Sequence, residues 1–538
     1  MTRTITLQHD GALSLADIED VAYGRAKVAL DAAARERVQA FRTRAVEQLA
    51  ANPDKRVYGV NTGFGSNFKD YVSPADLKQL QRNLIVSHCA GVGEPAPAPV
   101  VRATMLLRAA SLARGRSVVR PVLIETLIDM LNNDVTPVVP RDGSVAASGD
   151  LAPLSHIAAV MIGEGRVLTD KGAMRTADAG AKFKPIELEM KEGLALNNGC
   201  QYSNAWGALA AARMERLIEA AAVSTALHVQ ALRGMGRPFR RDLHDLRRHD
   251  GSLMFARWVF DLLDGYSFRD VDTDAKFEHD GVIQDPYNLR CSAQALGPCL
   301  ELVGRAKRTL EIEAASVTDN PIDLNTQADA NYGVDLITSG GHFHGMPLAV
   351  DIYGLLQAAS IMAQFSNLRC ARIVDAKRNK GLGPQVRGQN PDATESGLLI
   401  AEYTTAGLCN QIFGLAMPSH LMSLSTDSGQ EDHVSMAANV AMRAHAATEP
   451  LARILAIEMA FAAQAERVRA ENLKHPDRGE KPAALGRSTQ GALDKIAETF
   501  PPWRRGGDRE LTLDIEALAE KVLSGDIAQA TGYRFERH

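Results

Sequence analysis

The stretch that most constrains how this chain can fold is Gly143-Ser144-Val145-Ala146-Ala147-Ser148-Gly149-Asp150-Leu151-Ala152-Pro153-Leu154. Two glycines and a run of small side chains let the backbone take conformations that a Cβ would forbid, while Asp150 and Pro153 are suited to opening a helix just beyond. The stretch predicts a tight, crowded loop feeding a helix start. The triplet Ala147-Ser148-Gly149 at its centre means little alone, because at average residue usage it turns up by chance in roughly one chain of this length in five. In a sharply bent loop, however, the unhindered amide nitrogen of Gly149 can attack the carbonyl carbon of Ala147. Loss of one water there and another from Ser148 leaves a conjugated five-membered ring with an exposed methylene. Side chains offer nucleophiles, acids and bases but no comparable electron sink, so a chain that makes such a ring supplies its own cofactor.

A length of 538 residues suffices for a large core. With 45% hydrophobic and 23% charged residues and a formal net charge of −5, the composition is that of an ordinary globular protein, with no electrostatic case for nucleic acid or an anionic membrane. The cysteines, Cys89, Cys200, Cys291, Cys299, Cys370 and Cys409, lack the close pairs of zinc sites or disulfide frameworks, which fits a reducing cytosol. Met1 to Leu7 has no signal-peptide core, and no uninterrupted apolar run of about 18 residues occurs, so neither secretion nor membrane spanning is expected.

Several other stretches carry chemistry-bearing residues. Arg56 to Gly65 holds three glycines and Tyr58, a loop whose mobility suits function, although a lone loop tyrosine is ordinarily a packing residue. Asn83 to Pro95 reads as an apolar helix end running into a Gly/Pro loop, with Ser87 and His88 at the junction; a histidine on such a face is by default a satisfied core residue. Leu194 to Gln201 opens a long helical pattern through Leu227, and Asn198 there would ordinarily be a cap. In Val282 to Cys291, Gln284, Tyr287 and Arg290 share a face if Pro286 opens a helix, and Arg290 is a residue type that binds carboxylates in bidentate fashion. Gln430 to Met436 contains Glu431-Asp432-His433, but neighbours on a helix do not converge on one metal ion.

Gly143 to Leu154 resembles the signature of the aromatic amino acid ammonia-lyases, which carry a 4-methylidene-imidazol-5-one (MIO) group built from Ala-Ser-Gly, and further blocks along most of the chain resemble the same family. The resemblance implies that Ala147, Ser148 and Gly149 form MIO, with no metal or nucleotide. Tyr58, in Tyr-Gly-Val-Asn-Thr-Gly-Phe-Gly, becomes the candidate catalytic base on a mobile loop. A phenol near pKa 10 must be depressed to serve at neutral pH, by nearby positive charge or hydrogen-bond donors. Asn198 is implied near the MIO oxygen, where an amide stabilises charge entering the ring carbonyl. Tyr287 is implied as catalytic, and Gln284 and Arg290 as substrate-binding. Ser87-His88 resembles the selectivity pair of histidine-type members, where tyrosine-type members tend to show His-Leu and phenylalanine-type members Phe-Leu. Gln430-Glu431-Asp432-His433 also matches the histidine type, making Glu431 the residue that contacts an imidazole and shares in proton removal. Thr318-Asp319-Asn320-Pro321 is a further family block. Ser339 to Gly345 departs from the family, with His342 where Asn is usual, and keeps Phe343 as an apolar wall for an aromatic ring.

The expected fold is all-α: a long central helix bundle of the ammonia-lyase and fumarase-like type over 201–538, and a smaller N-terminal part over 1–200 with the Tyr58 and MIO loops. Ser14 caps a first helix, Arg35 to Leu49 forms a second, 162–184 is a small surface excursion, Asp375 to Glu395 is a polar loop, and Ala437 to Asn472 is helical with a break at Pro450. Helix N-termini aimed at the ring would favour electron flow into it. The implied partner is a small amino acid substrate, and the implied assembly a cytoplasmic homotetramer with shared sites and no nucleic acid or membrane. The implied reaction is non-oxidative deamination of L-histidine to trans-urocanate. The alternatives are a phenylalanine or tyrosine ammonia-lyase or aminomutase, or an inactive helical scaffold or binding protein.

Overall fold

In a computed structural model the described residues are 3–180, 182–270, 284–387, 393–501 and 508–536. Val282 and Ile283 of the Gln284 block, and 388–392 of the polar interval, lie outside them. Helix makes up 57% of the chain and strand pairing is confined to two-stranded pieces, so the fold is all-α in class. Four helices carry the architecture: Gln201–Ala231, Ser292–Ala314, Met346–Val374 and Ala437–Asn472, of 31, 23, 29 and 36 residues. The last of these runs unbroken through Pro450, contrary to the expected break. Proline deprives the carbonyl four residues earlier of its partner. Here that residue, Ala446, is exposed, and buried alanines before the proline and buried leucines and alanines after it hold the helix axis.

Two compact units divide the chain. The first comprises Met1–Ala212, Ala306–Ile352 and Pro418–Met442. Its N-terminus is the parallel pair Arg3–Leu7 and Ala26–Leu30, connected by the helix Leu15–Ala22. Ser14 caps that helix in a reciprocal capping box with Asp17. The helix Ala32–Ala51 follows, then Leu77–His88, Ala98–Ala113 and Pro121–Asn132, the last opened by its proline. From Val100 to Ala113 every residue of its helix is buried, arginines included. The expected excursion is a hairpin of Arg166–Thr169 with Gly172–Arg175. The short helices Leu151–Met161 and Glu192–Asn197 complete the frame of the site.

The second unit comprises Arg213–Arg305, Tyr353–Met417 and Arg443–His538. Trp258 is fully buried and meets the Phe535 ring edge-on at 5.1 Å. In its core the Arg369 guanidinium donates to Glu458, and burial lowers the pKa of neighbouring His228 to about 4. Met346–Val374 is long and apolar enough to cross a membrane by length and composition, although 56% of its apolar window is buried inside the protein. The helix escapes a search for uninterrupted apolar runs because Asp351 and Arg369 punctuate it.

Candidate active site

The loop before Leu151–Met161 is as crowded as its composition predicts, and three separate segments grip it. Met436 N–H donates to the Val145 carbonyl at 3.0 Å, and the Ala146 carbonyl accepts from Ser435 Oγ at 2.9 Å and Gly345 N–H at 3.3 Å. Ala146 is thereby held at φ +49°, a conformation alanine seldom adopts unless its surroundings impose it. On the other side Gly149, at φ +77°, lies against Gly199 so closely that a Cβ would sit 2.3 Å from the Gly199 nitrogen and oxygen. Only glycine fits this backbone-on-backbone contact, which Asp150 N–H extends by donating to the Gly199 carbonyl at 2.7 Å.

Asp150 occupies the N-cap position of Leu151–Met161, but its side chain makes no cap there. Its buried carboxylate instead accepts from Ser144 Oγ at 2.6 Å and from both Ser203 N–H and Ser203 Oγ at 2.7 Å. It thus ties the loop to the first turn of Gln201–Ala231. Burial holds this carboxyl above its usual range despite those donors.

Ser148 sits between two of the expected site residues. Asn198 Nδ2 donates to the Ser148 carbonyl oxygen at 2.9 Å, and Ser148 Oγ donates to Glu431 Oε1. Glu431 Oε2 in turn accepts from Thr426 Oγ1 at 2.8 Å. Asn198 does not cap the long helix. It ends Glu192–Asn197, and Gly199 and Cys200 intervene before Gln201. Gln81, buried in Leu77–His88, receives Gly193 N–H at 2.8 Å and Leu194 N–H at 3.2 Å on its side-chain oxygen, so one glutamine fixes the short helix that delivers Asn198.

Tyr58 lies on a loop folded back on itself, its hydroxyl accepting from Gly65 N–H at 3.0 Å. The loop is latched: the Asp427 carboxylate accepts from Ser66 N–H at 2.8 Å and Ser66 Oγ at 2.9 Å. Gly59, at φ +64°, allows the loop to lie on Leu194, whose δ-methyl would be 2.3 Å from a Cβ. The phenol's pKa is raised, not depressed as the base role requires. Burial is the main cause, and Glu431 and Asp427 add to it, while the Gly65 donor opposes them.

Tyr58, Ser87, His88, Ser148, Asn198 and Glu431 line one cleft of about 600 Å³, large enough for an amino acid with an aromatic side chain. Ser87 Oγ and His88 Nδ1 are 3.1 Å apart at the end of Leu77–His88, and burial lowers the His88 pKa, favouring the neutral imidazole. The lining also takes in Asn83, Leu151, Leu194 and Asp427, which the sequence did not single out. Asp427 follows Ser-Thr and precedes Ser-Gly, an ordinary turn sequence, so only its contact with Ser66 marks it. The charged side chains among the described lining residues, Asp70, Asp427 and Glu431, are all acidic.

The remaining expected residues are elsewhere. Gln284, Tyr287 and Arg290 belong to the second unit. Pro286 does precede a short helix, Tyr287–Arg290, whose tyrosine is 69% exposed, and the Arg290 guanidinium stacks 4.6 Å above that ring. Arg290 Nε donates to the Asp285 carbonyl at 2.8 Å. Phe343 is half-buried outside the cleft lining, its carbonyl accepting from Cys200 Sγ at 2.8 Å, and the divergent His342 is exposed.

A reactive-loop tripeptide, an amide on its carbonyl, a carboxylate on its hydroxyl and a tyrosine on a latched loop occur here on an all-α frame, and residues 13–497 match the aromatic amino acid lyase family. The chain belongs to that family and is a carbon–nitrogen lyase. It is 42% identical to the histidine ammonia-lyase of Bradyrhizobium diazoefficiens over 95% of this chain and 93% of that one. It is 37% identical to the histidine ammonia-lyase of Stigmatella aurantiaca over 97% and 98% of the two chains. Among solved structures, tyrosine aminomutase from Streptomyces globisporus superposes with a TM-score of 0.88 at 28% identity, over 99% of this chain and 100% of that one.

Proposed function

We propose that the protein deaminates L-histidine to trans-urocanate and ammonia, using an MIO electrophile condensed from Ala147, Ser148 and Gly149. The observation that carries this reading is the placement of Ser148, with Asn198 on its carbonyl and Glu431 on its hydroxyl. The tripeptide fits ring closure. Gly149 presents an amide unhindered by any Cβ in a space where Gly199 leaves room for none, and the buried Asn198 Oδ1 has no partner among the described residues. When formed, the ring supplies the electron-poor methylidene that makes the amino group of an α-amino acid a leaving group.

This chain's own residues divide the rest of the work. Asn198 stabilises negative charge at the Ser148 oxygen, in a position only 3% exposed and therefore poorly screened. His88, oriented by Ser87, holds the substrate imidazole by a hydrogen bond, and Glu431 approaches the same ring from across the cleft. Tyr58 removes a β-proton, leaving the α,β-unsaturated acid as ammonia departs. Its phenol needs positive charge that the acidic cleft lining does not provide, and so does the substrate carboxylate. Arg290 is the residue assigned to that carboxylate, with Gln284 and Tyr287 beside it and Phe343 walling the ring. In a homotetramer with shared sites they come from another copy of the chain. The unpaired cysteines fit a cytoplasmic enzyme.

The 28%-identical aminomutase supports a second reading, in which ammonia is re-added to the product. Assaying histidine, phenylalanine and tyrosine side by side by absorbance of their unsaturated products, with analysis for β-amino acids, separates the two. Urocanate as sole product is expected; a β-amino acid, or no turnover of histidine, overturns the proposal. Ser148→Ala is expected to keep the fold, raise the intact mass by preventing the loss of water, and abolish nearly all turnover.

A further inference from the structure

Arg108 lies in the middle of the buried helix Ala98–Ala113 with 1% of its surface exposed. Its Nη1 donates to the backbone carbonyl of Asn198 at 2.7 Å and to Gln201 Oε1 at 2.9 Å. Gln201 Nε2 passes the constraint on to Thr318 Oγ1 at 2.7 Å. A Cβ on Gly199 would meet these same three side chains at 2.5 to 2.7 Å, so they pack directly against the segment that touches Gly149.

This arrangement is costly as a stability device. Arg108 Nε and Nη2 have no partner among the described residues, and burying an incompletely paired guanidinium carries a desolvation cost. Burial is the main cause that lowers the Arg108 pKa, only partly offset by Asp319, and Arg108 in turn disfavours the charge on a second buried cation, Lys191, which is paired to Asp319 at 2.7 Å. Packing alone would be served better by an apolar residue. What the guanidinium does supply is a fixed point for Asn198 and Gly199, the two residues that hold the Ser148 carbonyl and the Gly149 backbone.

We infer that Arg108, oriented by Gln201 and Thr318, is a positioning residue: it sets the Asn198-Gly199 segment against Ser148-Gly149, and so governs both closure of the ring and the use of its carbonyl as an electron sink. The inference rests on the MIO reading. Arg108 touches neither substrate nor the reacting atoms, so its loss acts on how completely the ring forms and on kcat, leaving KM in place.

The test is the intact mass of purified Arg108→Gln and Arg108→Lys, together with kcat per ring-bearing chain and KM for L-histidine. Wild type is expected to be lighter than its sequence by two waters. Both variants are expected to be mixtures of dehydrated and unmodified chains, with kcat per ring down at least tenfold, KM unchanged, and Lys no better than Gln because it lacks the forked geometry. Full dehydration with kcat within about threefold of wild type would overturn the assignment. If the arginine variants do not fold, Thr318→Val, which removes only the hydroxyl that orients Gln201, decides it: a severalfold loss in kcat or incomplete dehydration supports the role, and wild-type values refute it. An unmodified wild-type mass would instead overturn the ring itself, and this inference with it.

Discussion

Adding one methyl group at Gly59 gives the sharpest test of the Tyr58 loop. Gly59 is at φ +64°, so Gly59→Ala forces an L-residue into the left-handed region at about 1–2 kcal/mol. The new Cβ would also stand 2.3 Å from Leu194 Cδ2. Overpacking costs about 1–3 kcal/mol in general, and because the clashing atom is the end of a flexible side chain the low end applies. The sum is about 2–3 kcal/mol. It falls on the closed loop alone, since a loop that swings away relieves both strains. Closed-loop population, and with it kcat/KM for histidine, is expected to drop roughly 30- to 160-fold. Hydrogen exchange at the Gly65 amide, which is bonded to the Tyr58 hydroxyl, is expected to accelerate in parallel. Leu194→Ala in the same chain removes the clash but not the backbone strain. Relative to Leu194→Ala alone, the added methyl then costs about 1 kcal/mol less, close to fivefold in kcat/KM. Unchanged kcat/KM in Gly59→Ala, or strictly additive effects in the pair, would refute the account of the loop.

Asn198→Ala removes a water-excluded donor from the Ser148 oxygen and is expected to lower kcat by roughly 10²- to 10³-fold with little change in KM, measured by steady-state kinetics. His88→Leu deletes the imidazole paired with Ser87 and is expected to cost histidine about 1–3 kcal/mol, or roughly 5- to 150-fold in kcat/KM, while phenylalanine turnover rises; unchanged selectivity would remove His88 from the specificity pair. Asp427 raises the Tyr58 pKa, so Asp427→Asn lowers it and makes the phenolate of the proposed base available at lower pH. The acid limb of kcat/KM is expected to move to lower pH even as the lost Ser66 latch reduces the maximum.

Local chemistry was legible in the sequence where a residue type left few options. Gly149 and its small neighbours predicted a crowded loop, and Ser14 marked a helix start because capping acts over a few residues. Pro450 misled, and Asp150 marked the helix start without capping it, each for a reason outside its own turn of helix. The first is tolerated where Ala446 faces solvent, and the second spends its carboxylate on Ser203, fifty-three residues away, instead of on its own helix. Asp427 and Arg108 were invisible because their importance lies in contacts across 361 and 90 residues, to Ser66 and to Asn198. Tyr58 shows the same limit in electrostatics. Its position was readable, but the sign of its pKa shift depends on burial and on two acidic neighbours from a distant loop.

The contact between Gly149 and Gly199 joins chain segments fifty residues apart, with further grips from Gly345 and Ser435. A nascent or unfolded polypeptide possesses none of that confinement. The proposed ring, with its reactive alkene, would therefore arise last, after the tertiary structure that shields it, and an immature chain would expose no electrophile to the thiols and amines around it. Under that proposal maturation doubles as proof-reading: a ring in a given molecule would certify that this molecule once reached its native packing.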